Sequence, residues 1–339
     1  MYLISIMLIA CLLITFLSGC SQSGQKIAIF KYTSNDTFIY EMMEYMISRI
    51  PEDLEYEVFD AANSQSVQNQ QIGESLENDF DLLAINAVDR LACSSIIARC
   101  ASEDMPVIFF NREPPEDAIL GHNAYYVGID ADSQGQKQAE MVAELFGGDF
   151  MGSKFDRNND GIVQLVIIKG EQGHQDAEKR TDNCIVRLKE LGYEVEVMAI
   201  EVADWNRRDG YEVMKNLYAL YGESIELVFS NNDDMALGAI DYLLEARIFF
   251  ERQSGYYDQP FVIVGVDGTA VGLDAIGRGL LYGTVNNDSE KQADAILALA
   301  DYILNDRDFA DFPFTIKRNH YIYFDDATIT LENLSEYIE

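Results

Sequence analysis

Short apolar runs rich in Val, Ile, Leu and Phe alternate with helical patterns along the chain from residue 26 onward. Ile27–Tyr32 reads as a strand, Thr37–Arg49 as a helix, Tyr56–Phe59 as a strand and Ser66–Glu77 as a helix. Leu82–Ile85, a helix around Leu91–Ala101, and Val107–Asn111 continue the series. Runs this continuous fit parallel strands covered on both faces by helices. A second series follows Tyr125-Tyr126-Val127-Gly128, with strands expected at Val163–Lys169, Glu194–Ile200, Leu227–Ser230 and Val262–Val266 and helices between them. Arg247 to Pro260, charged and aromatic, interrupts the last unit and reads as a surface insertion. The pattern predicts an α/β protein of two Rossmann-like lobes with parallel sheets. The length of 339 residues agrees, since one domain takes roughly 100–200.

The strands of the second series end in polar clusters: Lys169-Gly170-Glu171, Ser230-Asn231-Asn232-Asp233 and Gly265-Val266-Asp267-Gly268. Ligands of doubly wound sheets bind outside the carboxyl ends of the strands, so two such lobes facing each other make a cleft. Candidate site residues alternate between the two halves, and the C-terminal segment has to return. The chain is therefore expected to cross three times, near Gly128–Asp130, Asn286–Asp288 and Tyr321–Asp325, as a three-segment hinge. The lobes would be residues 26–128 plus 288–321 and residues 130–286 plus 323–339.

Ahead of this body, Tyr2 to Leu17 is almost unbroken apolar sequence, and the first charge is Lys26. About 16 residues falls short of the ~20 needed to span a bilayer, so residues 1–19 read as a signal peptide. Leu17-Ser18-Gly19-Cys20 looks like the lipobox of bacterial lipoproteins, which makes Cys20 the lipidated first residue and 20–25 a tether. The expected location is outside the cytoplasm, lipid-anchored to the outer face of the membrane or periplasmic. Cys93, Cys100 and Cys184 remain in the body. Cys93 and Cys100 lie two helical turns apart, about 10 Å, too far for a disulfide within one helix. All three read as small buried hydrophobes.

With 58 acidic against 24 basic residues and a net charge of −34, the surface repels phosphate backbones and anionic headgroups. Nucleic acid is excluded as a partner, and the membrane is reached only through the lipid. A monomer is expected.

A carbohydrate site must satisfy hydroxyls that both donate and accept while covering the apolar ring faces. Asp, Asn and Arg supply paired hydrogen bonds, and aromatic rings stack on C–H faces. Asp36, Phe38, Asn111, His174, Asp176, Arg180, Trp205, Asn232, Asp267 and Asn287 form that mixture. Singly, each has a plain structural reading. Asp36 and Asp176 suit helix caps, Asp176 with Arg180 is an i,i+4 pair, Asn111 and Asn232 suit turns, and Trp205 and His174 suit packing. Together, Lys31-Tyr32, Phe109-Phe110-Asn111-Arg112-Glu113-Pro114, Ala124-Tyr125-Tyr126-Val127-Gly128, Lys169 through Glu178, Asn231-Asn232-Asp233 and Gly265-Val266-Asp267 resemble the periplasmic galactose/glucose-binding proteins, in the same order over the mature chain. The resemblance implies a type I periplasmic binding protein fold. It also implies that Phe38 and Trp205 sandwich a pyranose while the other eight residues hydrogen-bond its hydroxyls. Here the first loop is two residues longer than the family pattern, so Asn35 is the alternative to Asp36, and the preference between glucose and galactose stays open. Gln175 replaces the family's proline.

Asp156-Arg157-Asn158-Asn159-Asp160-Gly161-Ile162-Val163-Gln164 carries side-chain oxygens at loop positions 1, 3, 5 and 9 and glycine at 6, the spacing with which an EF-hand wraps calcium. Ile162 would supply a backbone carbonyl. Position 12 is Ile167 rather than glutamate, and the resemblance implies that Glu226 replaces it from a neighbouring strand. An Asx-rich turn is the plain alternative. Such a calcium would be structural, because a filled cage leaves no open position.

The resemblance implies an extracytoplasmic substrate-binding lipoprotein that delivers glucose or galactose to the permease of an ABC importer. A sensor signalling to a chemoreceptor or membrane kinase is an alternative. An enzyme is disfavoured by the absence of a nucleophile elbow, phosphate loop or zinc motif, and a repressor by the absence of a basic DNA-binding domain.

Overall fold

The computed structural model describes residues 24–251, 257–258 and 260–338. The signal-peptide and Cys20 expectations lie outside the described residues. The first lobe contains β1 (Lys26–Lys31), α1 (Thr37–Arg49), β2 (Glu55–Asp60), α2 (Gln65–Leu76), β3 (Leu82–Ile85), α3 (Cys93–Ser102), β4 (Val107–Phe110), α4 (Glu116–Ile119) and β5 (Ala124–Ile129). The second contains α5 (Ala131–Phe146), β6 (Ile162–Lys169), α6 (Gln175–Glu190), β7 (Glu194–Val202), α7 (Arg207–Tyr221), β8 (Leu227–Ser230) and α8 (Asp233–Glu245). It continues through β9 (Phe250–Glu251), β10 (Tyr257–Asp258), β11 (Val262–Asp267), α9 (Ala270–Gly277) and β12 (Gly283–Asn286). The chain then gives α10 (Ser289–Leu304) and β13 (Tyr321–Phe324) to the first lobe and β14 (Ala327–Thr330) to the second.

Each sheet has six strands, in the orders β13-β5-β4-β3-β1-β2 and β14-β12-β11-β8-β6-β7. All pairs within them are parallel except β12 with β14. Four apolar clusters cover both faces of both sheets, with α1 and α10 opposite α2 and α3 in the first lobe and α7, α8 and α9 opposite α5 and α6 in the second. The face of α1 shows how pattern becomes packing. Phe38, Ile39, Met42, Met43 and Met46 recur at helical spacing and are all buried, at about 1.5–3 kcal/mol each. Asp36 caps the start by accepting from Ile39 N at 2.9 Å, and Pro51 follows the last turn. Cys93, Cys100 and Cys184 are buried free thiols, as expected.

The three crossings fall after β5, after β12 and after β13. The lobe boundaries require one correction. β13 pairs with β5 as far as Phe324 with Ile129, so Ile129 and residues 322–324 belong to the first lobe and the last crossing lies between Phe324 and Ala327. Backbone pairing, invisible to a hydropathy pattern, decides this. The 247–260 insertion contains the antiparallel pair β9–β10, anchored by buried Phe249 and Phe261 on either side.

Candidate functional site

Strand ends and helix starts from both lobes converge on one small cavity. Tyr32, Asp36, Phe38, Asn111 and Arg112 line it from the first lobe; His174, Asp176, Arg180, Trp205, Asn232 and Asp267 line it from the second. Every expected contact is present in this lining except Asn287. Asn287 is buried beside Asp267, donating to its Oδ1 at 3.2 Å and accepting from Gln292, and so orients a lining carboxylate.

Tyr32 and Arg112 line the cavity without having been singled out. Tyr32 donates to Asp36 Oδ2 at 2.6 Å, and the Arg112 guanidinium stacks 4.1 Å over the Tyr32 ring. Both are residue types that a carbohydrate site uses and both lie in the segments that carry the resemblance, but the resemblance assigned neither a contact. Gly170 was also missed. A Cβ there would stand 2.3 Å from the Trp205 ring, so only glycine lets the indole take its place. The buried Trp205 Nε1 has no hydrogen-bond partner, and the His174 ring meets the indole edge-on at 5.1 Å.

Arg180 organises the second wall. It donates to Gln134 Oε1 and to the Asn231 carbonyl, both at 2.6 Å, and stands 3.9 Å from both Asp176 Oδ2 and Asp267 Oδ1. Burial pushes the carboxyls of Asp176 and Asp267 up, and Arg180 pulls both back. Burial, with Arg112 and Arg180 nearby, holds His174 well below its ordinary value. His174 is neutral near pH 7, and because Nδ1 accepts from Asp176 N at 3.2 Å its proton sits on Nε2. Three carboxyl groups thus share the cavity with two guanidiniums. A cation meets the arginines and an anion meets the aspartates, whereas a neutral polyhydroxyl molecule meets donors and acceptors without a charge conflict. Asn111, Trp205 and Asp267 adopt positive φ of 62°, 64° and 122°. Such strain in non-glycine residues concentrates at ligand clamps.

The 156–164 loop lies in the second lobe, where it runs into the start of β6 beside the start of β8. The side-chain heads of Asn158, Asp160 and Gln164 lie within 3.3 Å of one another, and Asp156 accepts from Gly152, Asp160 and Gly161 N. Glu226 closes the loop, accepting from Arg157 N at 2.7 Å and Gln164 N at 3.2 Å. Among the described residues no group of three or more His, Cys, Asp or Glu forms a metal cluster. Of the five side chains in this donor set two are amides and three are carboxylates, all offering the oxygen a hard cation accepts, and Ile162 adds only its backbone carbonyl. Asn158, Asp160 and Gln164 are the three drawn together.

With this geometry in place, comparison with known proteins is informative. The chain is 33% identical over 276 residues to the D-galactose/methyl-galactoside binding periplasmic protein MglB of Haemophilus influenzae, covering 81% of this chain and 79% of the relative. It is 25% identical over 248 residues to the ribose import binding protein RbsB of Bacillus subtilis, covering 73% and 71%. An ABC transporter solute binding protein from Bacillus halodurans, solved with myo-inositol, superposes with a TM-score of 0.74 at 24% identity over 94% of this chain and 98% of that one. An Actinobacillus succinogenes counterpart bound to D-allose gives 0.75 at 19% identity, over 92% and 100%. Residues 27–308 match the family described as periplasmic binding protein domain, and the protein belongs to that family.

Proposed function

We propose that this protein captures one aldohexose, glucose or galactose, outside the cytoplasmic membrane and presents it to the permease of an ABC importer. One observation carries the reading: Phe38 from the first lobe and Trp205 from the second line a single small cavity whose remaining walls are carboxyl, amide, imidazole and guanidinium groups. Aromatic faces cover an apolar ring face, and the polar wall takes the hydroxyls. The MglB relative binds galactose, which favours a hexose over the ribose and inositol of more distant relatives.

Calorimetry with glucose, galactose, ribose and myo-inositol tests the ligand. A hexose dissociation constant of about micromolar or tighter, roughly −8 kcal/mol, is expected. Pentoses bind much more weakly, because each missing hydroxyl leaves a buried polar group unpaired at ~1–3 kcal/mol. Ribose binding more tightly than both hexoses overturns the substrate class. The same reading places calcium in the 156–164 loop with Glu226 and a lipid on Cys20. Persistence of a Cys20→Ala variant in the membrane fraction would count against the anchor.

A further inference from the structure

Two contacts cross the cleft beside the cavity without belonging to its lining. Glu41, on α1, accepts from the backbone N–H of Ala270 at 2.9 Å. Asp234, on α8, accepts from the backbone N–H of Thr37 at 3.3 Å. Thr37 and Ala270 are the first residues of α1 and α9. In each helix its own cap, Asp36 or Thr269, takes the N–H two residues further on, Ile39 or Gly272. The free N–H of the first residue goes to a carboxylate of the other lobe. The arrangement is reciprocal: each lobe supplies one acid and one helix start.

We infer that Glu41 and Asp234 form a reciprocal clasp that holds the closed cleft and sets how long a bound ligand stays, without selecting which ligand it is. The inference rests on the receptor reading above, in which closure follows capture. A carboxylate on a helix N-terminus meets unpaired N–H groups and the positive end of the helix dipole, so the contact is charge-assisted. It exists only when the lobes are together, and it touches backbone rather than ligand, so its free energy appears in release and not in discrimination. The clasp carries its own opposition. Burial raises the carboxyls of both Glu41 and Asp234, and Asp234 feels Asp36 while Glu41 feels Asp234. Closing without a ligand thus gathers partly desolvated acids near Asp36, whose charge a hydroxyl donor would satisfy. Two other inter-lobe bonds, Arg112 with Glu171 and Gln175 with Glu113, do not separate as cleanly, since Arg112 also lines the cavity.

The test is stopped-flow release of glucose, galactose, ribose and myo-inositol, followed by Trp205 emission, in the parent protein, E41A, E41Q, D234A and E41A/D234A. Melting curves first establish that each variant is folded. Release is expected to speed up about 5- to 30-fold in E41A, by the same factor for every ligand that binds, with association changed less than twofold. E41Q, which keeps an acceptor but no charge, falls between the parent and E41A. Unchanged release in both E41A and the double variant overturns the clasp. A factor that differs between ligands also overturns it, because that marks direct ligand contact. If neither hexose binds, the hexose reading fails while the clasp is still read on ribose or myo-inositol. If none of the four binds, the receptor reading fails, and the clasp falls with it because closure then has no ligand to follow.

Discussion

Asp36, His174 and Asn232 each do two things at once. Their side chains cap α1, α6 and α8, accepting from Ile39, Asp176 and Met235 N, and they also line the cavity. The plain and functional readings were therefore never alternatives, because a helix start aimed at a cleft needs a short polar side chain for both purposes. Trp205 is the residue whose loss should be felt most in binding. Trp205→Ala is expected to weaken hexose binding by ~1–3 kcal/mol through lost burial and stacking, read by calorimetry. Unaltered affinity would make the indole a packing group only. Asp233, behind the cavity, carries a different signature. Burial pushes its carboxyl up to about 7, against the downward pull of bonds from Thr284 and Thr269. The folded state thus holds a proton that the unfolded chain, at about 3.9, has released. The associated stability is present below pH 4 and lost as pH rises through 7, a penalty on the order of 4 kcal/mol when fully charged. Asp233→Asn removes this titration, so the stability difference between parent and variant should favour the parent more at pH 5 than at pH 8 in urea unfolding. A difference independent of pH contradicts the assignment.

Among elements, α7 and α8 pack through a pair of glycines. A Cβ on Gly238 would stand 1.9 Å from the Arg207 carbonyl, and one on Gly210 would stand 2.5 Å from that of Met235. In an exposed helix a Gly→Ala change gains up to about 1 kcal/mol, but here overpacking at ~1–3 kcal/mol or more outweighs it. Gly238→Ala should lower the melting temperature and, by moving the start of α7, weaken hexose binding. A variant at least as stable as the parent would show that the helices separate freely. The elements themselves were legible wherever the apolar period was strong: Thr37–Arg49, Leu82–Ile85 and Leu227–Ser230 are found with the expected bounds. β14 was not, since Ala-Thr-Ile-Thr carries one buried residue and becomes a strand only because β12 is beside it.

At the scale of the whole molecule, a cation held in the 156–164 loop, as proposed, would bear on the stability of the second lobe and not on the cavity. Adding a chelator in metal-free buffer should lower the melting temperature, because a cation bound only by the folded state stabilises it by mass action. Asp160→Ala should abolish the difference. Identical curves with and without chelator in the parent protein would remove calcium from this loop.

The order of apolar runs was enough to determine two mostly parallel sheets covered on both faces, because burial on both sides leaves a period that survives in one dimension, while the antiparallel β14 left no such mark. The polar clusters at the strand ends marked the mouth of the cleft, because strand termini are local features, and the resemblance to the periplasmic galactose/glucose-binding proteins singled out nine of the lining residues. Tertiary structure alone decided the rest. Asn287 stands beside Asp267, Tyr32 and Arg112 enter the lining, residues 322–324 stay in the first sheet, and Glu41 and Asp234 each meet the start of a helix in the opposite lobe. Each of these depends on which backbone or side-chain atom lies across a gap between segments that are separated by as few as 20 residues, for Asn287 and Asp267, or as many as 229, for Glu41 and Ala270, and a linear pattern carries no record of that distance.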